Sequence, residues 1–149
     1  MPKRQLFLKT AVTAQYVGQV LDRRLEPAGI PGYLLALVTH IRDHAPVTPS
    51  EISVASGVPM TTLRDNIQRL VDRKLVRRVA HPRDGRSYRL ELTARGEATL
   101  QAADPALLDA YLEVERRLPR PLADYESVLD ELNEALQATL ENAPAARLE

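Results

Sequence analysis

The sequence predicts a mainly α fold with one small β-hairpin (α+β), in which helices at both chain ends frame a winged helix-turn-helix. Three observations predict it. Apolar residues recur at three- and four-residue spacing along most of the chain, the mark of amphipathic helices. Two short runs, 75–80 and 87–92, read instead as strands joined by the tight polar segment His81-Pro82-Arg83-Asp84-Gly85-Arg86. Positive charge collects over that same stretch: residues 64–95 hold ten Lys/Arg against four acids, whereas residues 104–149 hold eleven acids against four arginines. The net charge of the chain is zero, but the local field governs association with phosphate.

The first helix is predicted from Lys3 to Leu25, with Leu6, Leu8, Val12, Tyr16, Val17, Val20, Leu21 and Leu25 on one stripe. Glu26-Pro27-Ala28-Gly29 ends it, because Pro27 disfavours the α conformation at Glu26. A second helix opens near Pro31 and carries Tyr33, Leu34, Leu37, Val38 and Ile41 until Ala45-Pro46-Val47 breaks it. Thr48-Pro49-Ser50-Glu51 is a capping box with proline at the first helical position. The short helix that follows turns Ile52 and Ala55 inward and stops at Ser56-Gly57, where glycine suits a left-handed turn. A further helix, about Pro59 to Arg73, buries Leu63, Ile67, Leu70 and Val71.

After the hairpin, Thr93 caps another helix, and Asp104-Pro105 predicts a kink or a fresh start within it. It carries Leu107, Leu108, Tyr111, Leu112 and Val114 to Leu118-Pro119-Arg120-Pro121. The last helix, about Pro121 to Leu140, aligns Leu122, Tyr125, Val128, Leu129, Leu132, Leu136 and Leu140, and Asn142 to Ala146 is a small-residue tail. The chain thus divides into a winged helix-turn-helix region (31–103) and a helical dimerisation region (1–30 and 104–149). The terminal stripes exceed what the small central core needs. Either they pack on each other within one chain or they join a partner chain; a two-fold homodimer, the preferred reading, would bury both and set two reading helices about one DNA turn apart.

Composition removes other classes. Of 149 residues, 44% are hydrophobic and 27% charged, which suits a globular protein rather than a disordered one. The absence of a long apolar run argues against a membrane span, and the absence of a signal-peptide pattern predicts a cytoplasmic protein. With no cysteine there is no disulfide, thiolate metal site or cysteine nucleophile. His40 and His44 lie four apart, but no Glu follows His40 as in a zinc-protease helix, so a metal is not expected. Asp130 and Glu131 read as solvated charges, no phosphate loop or nucleophile elbow appears, and neither an enzyme nor a cofactor is expected.

The functional bets fall on double-stranded DNA. With Leu63 at zero and 100° per residue, Thr61, Asp65, Gln68, Arg69 and Asp72 point away from the core, and Thr62 and Arg64 flank them. Thr61, Thr62, Asp65 and Arg69 are the base-facing candidates, Gln68 shares their face, and Arg64 suits either a guanine edge or a phosphate. Asp84-Gly85 forms the wing turn, and Arg83 and Arg86 flank it on stems long enough for a phosphate or a narrow minor groove. The rival reading is a winged-helix protein-interaction module, for which a basic cluster has no use.

Leu75-Val76-Arg77-Arg78, then His81-Pro82-Arg83-Asp84-Gly85-Arg86 and Leu90-Glu91-Leu92-Thr93-Ala94-Arg95-Gly96, closely resembles the wing signature of the multiple-antibiotic-resistance regulator (MarR) family. The order of elements matches over nearly the whole chain. The resemblance implies a homodimeric transcription factor, usually a repressor, on a pseudo-palindromic operator, with the dimer made by the terminal helices. It implies DNA contact by Arg86 with Asp84 bracing the tip. It also implies a small phenolic or anionic effector between dimer core and DNA-binding lobe, for which Tyr16, Tyr33, His40 and Arg42 are the lining candidates. One residue departs from the pattern. Lys74 stands where the family usually has glycine, so the helix either ends without a left-handed turn or forces lysine into one.

Overall fold

The computed structural model describes residues 5–142, so the predicted helix start at Lys3 and the tail beyond Asn142 lie outside the described residues. Six α-helices and one antiparallel hairpin follow in order: α1 (Gln5–Leu25), α2 (Gly32–His44), α3 (Pro49–Ser56), α4 (Met60–Asp72), β1 (Val76–Ala80), β2 (Tyr88–Leu92), α5 (Ala94–Glu115) and α6 (Leu122–Glu141). A single 3-10 turn, Glu26–Ala28, links α1 to α2. No described helix is long and apolar enough to cross a membrane. The chain separates into two compact units, 1–110 and 111–149.

In the first unit the core is built from α2, α4 and the hairpin. Leu34, Val38 and Ile41 of α2, Ile52 of α3, Leu63, Ile67 and Leu70 of α4, Val76 and Leu90 of the strands, and Leu100 and Ala103 of α5 form one buried cluster. Removing this apolar area from water is the main driving force. α1 contributes mainly Leu25, while Leu6, Leu8, Val12, Tyr16, Val17 and Val20 stay exposed. Gly32 brings α2 hard against α1, since a Cβ there would lie 2.7 Å from Leu21 Cβ. Pro31 cannot cap α2 with its side chain, so Asp22 of α1 accepts the Gly32 N–H at 2.9 Å instead. Farther along, Arg24 pairs with Asp109 of α5 at 2.6 Å.

The capping box forms as expected: Glu51 N–H donates to the Thr48 hydroxyl at 3.2 Å, and Thr48 N–H donates to the Glu51 carboxylate at 2.7 Å. Ala55 corrects the sequence reading. It is exposed, because in this eight-residue helix only Pro49 and Ile52 face the core. A methyl group one turn on, about 60° round the helix, is too short to reach it. The segment that ends α2 does more than break a helix, because Val47 exchanges both backbone hydrogen bonds with Leu90 (2.8 and 3.3 Å) and adds one bridge to β2.

At the end of α4, Lys74 adopts φ 58°, the left-handed alternative. Leu75 N–H reaches Leu70 C=O at 3.0 Å and Lys74 N–H reaches Val71 C=O at 2.9 Å, which is a Schellman motif with lysine at the glycine position. Leu70 and Leu75 are both buried, supplying its hydrophobic contact. β1 pairs with β2 from Val76↔Leu92 to Ala80↔Tyr88. Thr93 closes the hairpin at its base: its hydroxyl donates to Lys74 C=O at 2.6 Å and accepts from Gly96 N–H at 3.0 Å, capping α5. Gly96 is required there, since a Cβ would collide with the Leu75 carbonyl oxygen. α5 then runs through Pro105 as one helix rather than starting afresh.

The second unit holds the end of α5 and α6. Arg120 lies over the Tyr125 ring, 5.0 Å from its centroid, and no residue of α6 is buried. Val128, Leu129, Leu136 and Leu140 are exposed along it.

Candidate nucleic-acid interface

The turn between α3 and α4 sets α4, the expected reading helix. Gly57 takes φ 68° and donates to Ser53 C=O at 2.9 Å. Ser53 donates to Val58 C=O at 2.7 Å, and Ser56 Oγ accepts from Val58 N–H at 3.3 Å. These two serines were not singled out in the sequence, because serine at a helix end signals a turn without naming its partner. With Leu63, Ile67 and Leu70 buried, α4 turns Thr61, Thr62, Arg64 and Asp65 outward. Their side chains form no hydrogen bond or ion pair among the described residues, so their polar groups are available to a partner.

Gln68 and Arg69 are exposed but engaged. Arg69 Nη1 donates to the Tyr33 hydroxyl of α2 at 2.7 Å. Gln68 Oε1 accepts from Arg78 Nη2 of β1 at 2.8 Å, while Gln68 Nε2 donates to Asp72 at 2.7 Å. Arg78 also lies over the Tyr88 ring at 5.1 Å. On the other hairpin face Arg77 pairs with Glu91 at 2.8 Å, across the register that opposes them.

The wing tip is a tight turn braced by Asp84. Its carbonyl accepts from Ser87 N–H at 3.1 Å and its carboxylate from Arg86 N–H at 3.0 Å. Gly85 does not use the left-handed region, so the aspartate rather than the glycine defines this turn. Arg83 N–H donates to His81 Nδ1 at 3.2 Å. The guanidinium groups of Arg83 and Arg86 are exposed and unpaired among the described residues. Arg86 shares a shallow hollow of about 180 Å³ with Arg64, Ser50 and Ser87, so a reading-helix arginine and a wing arginine face one space.

A larger cavity, about 590 Å³, lies between α2, α3 and α4. Its apolar wall is Ala36, Leu37, Ile52, Val58 and Leu63, and its polar rim is Tyr33, His40, Ser56, Thr62, Asp65, Asn66 and Arg69. Of the four effector candidates it brings together Tyr33 and His40. Tyr16 stays exposed on α1 and Arg42 pairs with Asp43 at 2.9 Å, both outside this lining. Asn66, Thr62 and Asp65 line it without having been predicted to; a helical wheel places residues on faces but not beside a neighbouring helix. Burial, reinforced by the charge of His44, pushes His40 below the ordinary histidine range, against an opposing pull from Asp43. Its ring stacks on that of His44 at 4.2 Å, and no group of three potential metal-ligating His, Cys, Asp or Glu forms among the described residues.

Known proteins share this arrangement. Residues 34–87 match the family model described as MarR family. The transcriptional regulator MosR of M. tuberculosis, in a crystal structure with DNA, is 31% identical and superposes with a TM-score of 0.77, covering 89% of this chain and 96% of that one. A Cys-to-Ser mutant of MarR from E. coli, complexed with operator DNA, is 25% identical with a TM-score of 0.78, covering 86% and 93% respectively. The HTH-type transcriptional repressor NicR of Pseudomonas putida is 38% identical over 65 residues, a match spanning 44% of this chain and 41% of that repressor. With a helix-turn-helix followed by a hairpin wing, and the likeness to MosR over most of both chains, the chain belongs to the MarR family of winged helix-turn-helix transcriptional regulators, a family of DNA-binding proteins and not of enzymes.

Proposed function

We propose that this chain is a homodimeric repressor that binds a pseudo-palindromic operator and releases it when a small phenolic or anionic molecule occupies the α2–α4 cavity. One observation carries the DNA reading: unpaired Arg64 of α4 and Arg86 of the wing face a common hollow at the exposed end of the reading helix. Phosphate contacts by such arginines position the protein, and side chains on the helix select the sequence. Thr61, Thr62 and Asp65 are the base-reading set, with Arg64 beside them and Arg69, the fourth base-facing candidate, held by the Tyr33 hydroxyl; Arg83 and Arg86 hold the backbone, braced by Asp84. The DNA held by MosR and by the MarR mutant supports this reading. The effector reading rests on the cavity itself, an apolar wall with a phenol, an imidazole and a guanidinium on its rim.

The test starts with selection of genomic fragments bound by the purified protein. Arg86→Ala is expected to weaken binding to every fragment and to reduce the magnitude of the salt slope by about 0.9 for each phosphate no longer neutralised. Changes at Thr62 or Asp65 are expected to shift the preferred site instead. Salt-independent binding, or no DNA captured at all, overturns the DNA reading.

A further inference from the structure

We infer that Gln68 and Arg78 are positioning residues that rivet the wing to the reading helix at a fixed spacing. The inference rests on the DNA reading given above but begins from contacts within the free chain. Arg78 and Tyr88 lie on the same face of the hairpin, since Arg78 opposes Leu90 and Ala80 opposes Tyr88, making the two diagonal neighbours. That geometry lets the guanidinium lie over the ring at 5.1 Å. Its Nη2 then crosses to α4 and donates to Gln68 Oε1 at 2.8 Å. The Gln68 amide nitrogen, fixed in orientation by that bond, donates to Asp72 at 2.7 Å one helical turn on. Ring, guanidinium, amide and carboxylate form one chain running from β2 through β1 to α4.

This changes the part played by two residues that charge and helical position alone would send to DNA. Gln68 lies on the solvent face of α4, yet both ends of its amide are occupied. Arg78 is one of the ten cations of the basic stretch, yet its planar group is held between an aromatic face and an amide oxygen. A flat, five-donor guanidinium suits that double contact, and an ammonium does not. Arg64 and the wing tip must meet one DNA surface together, so the spacing between α4 and the hairpin decides whether both can bind at once.

The experiment is a double-mutant cycle on the full chain with a selected genomic fragment, using Gln68→Ala, Arg78→Met and the pair, with Arg78→Lys as a fourth variant. Each single change is expected to weaken binding by about tenfold, with the salt slope unchanged and the same site recovered in selection. The double change is expected to be no worse than either single one, and Arg78→Lys to fail like Arg78→Met despite keeping its charge. Additive losses, a slope reduced by about 0.9, rescue by lysine, or an altered site preference would each overturn the rivet. Hydrogen exchange of the β1 and β2 amides in the DNA-free protein separates this inference from the DNA reading. Faster exchange in Arg78→Met supports the rivet even if no fragment binds, and unchanged exchange overturns it even if fragments do.

Discussion

Lys74 shows what a single backbone angle contributes. Its φ of 58° lies where a side chain crowds its own backbone, and a non-glycine residue there costs roughly 1–2 kcal/mol. The turn holds because Leu70, Leu75 and the Thr93 hydroxyl over-determine it. Lys74→Gly relieves the crowding, partly offset by glycine's greater freedom in the unfolded chain. It is expected to stabilise the protein by about 1 kcal/mol, seen as a rise of about 2–4 °C in Tm, and a fall in Tm would refute this account. The family resemblance exposed the conflict, because lysine stands where the family usually has glycine. It could not say which alternative won, since the deciding hydrogen bond comes from Thr93, far along the chain.

Among the elements, the start of α3 was the most legible and carries a pH signature. Proline, threonine and glutamate stand at fixed offsets in its capping box, and local spacing is what a sequence displays. Hydrogen bonds from the Thr48 N–H and then its hydroxyl hold the Glu51 carboxyl below its ordinary range. The folded value is therefore lower than the unfolded one, so the contribution is complete above the free-carboxyl value of 4.5 and is lost as pH falls through the lowered value. Glu51→Gln is expected to lower Tm at neutral pH, with the gap closing on acidification below that value; a gap independent of pH would exclude the capping carboxylate as its source. The Val47–Leu90 bridge was illegible for the opposite reason. One residue has no period, and its partner is distant in sequence. Asp104-Pro105 left two outcomes open, a kink or a fresh start, and α5 running through Pro105 removes only the fresh start. The cavity rim was half legible: Tyr33 and His40 share a helix face, but the approach of α4 that completes the lining is a tertiary fact.

For the whole molecule, the exposed apolar residues of α1 and α6 are the main unfinished business. Leu8, Tyr16 and Val17 on the first helix and Val128, Leu129 and Leu140 on the last are each about half exposed or more. Such stripes mark interaction surfaces rather than free surface. We expect a second copy to cover them, so a Leu8→Asp, Val12→Asp double variant should sediment as a monomer and lose concentration-dependent Tm; an undisturbed dimer would place the interface elsewhere. Cations gather on residues 64–95, while the acid excess lies in residues 104–149 on the C-terminal side.

The Thr93 hydroxyl that closes the hairpin also makes the wing a cassette. The chain enters at Lys74 and leaves at Thr93 through one pinned gate, and Gly96 keeps α5 pressed against it. The entropy of closing the tip is then set by the tip alone, at about 0.6 kcal/mol for each doubling of its length. A change of length within residues 82–86 is therefore expected to leave both helices undisturbed, whereas loss of the Thr93 hydroxyl or a side chain at Gly96 would open the gate. If the wing lies on the DNA backbone as proposed, its reach becomes a dimension that can be tuned separately from the fold.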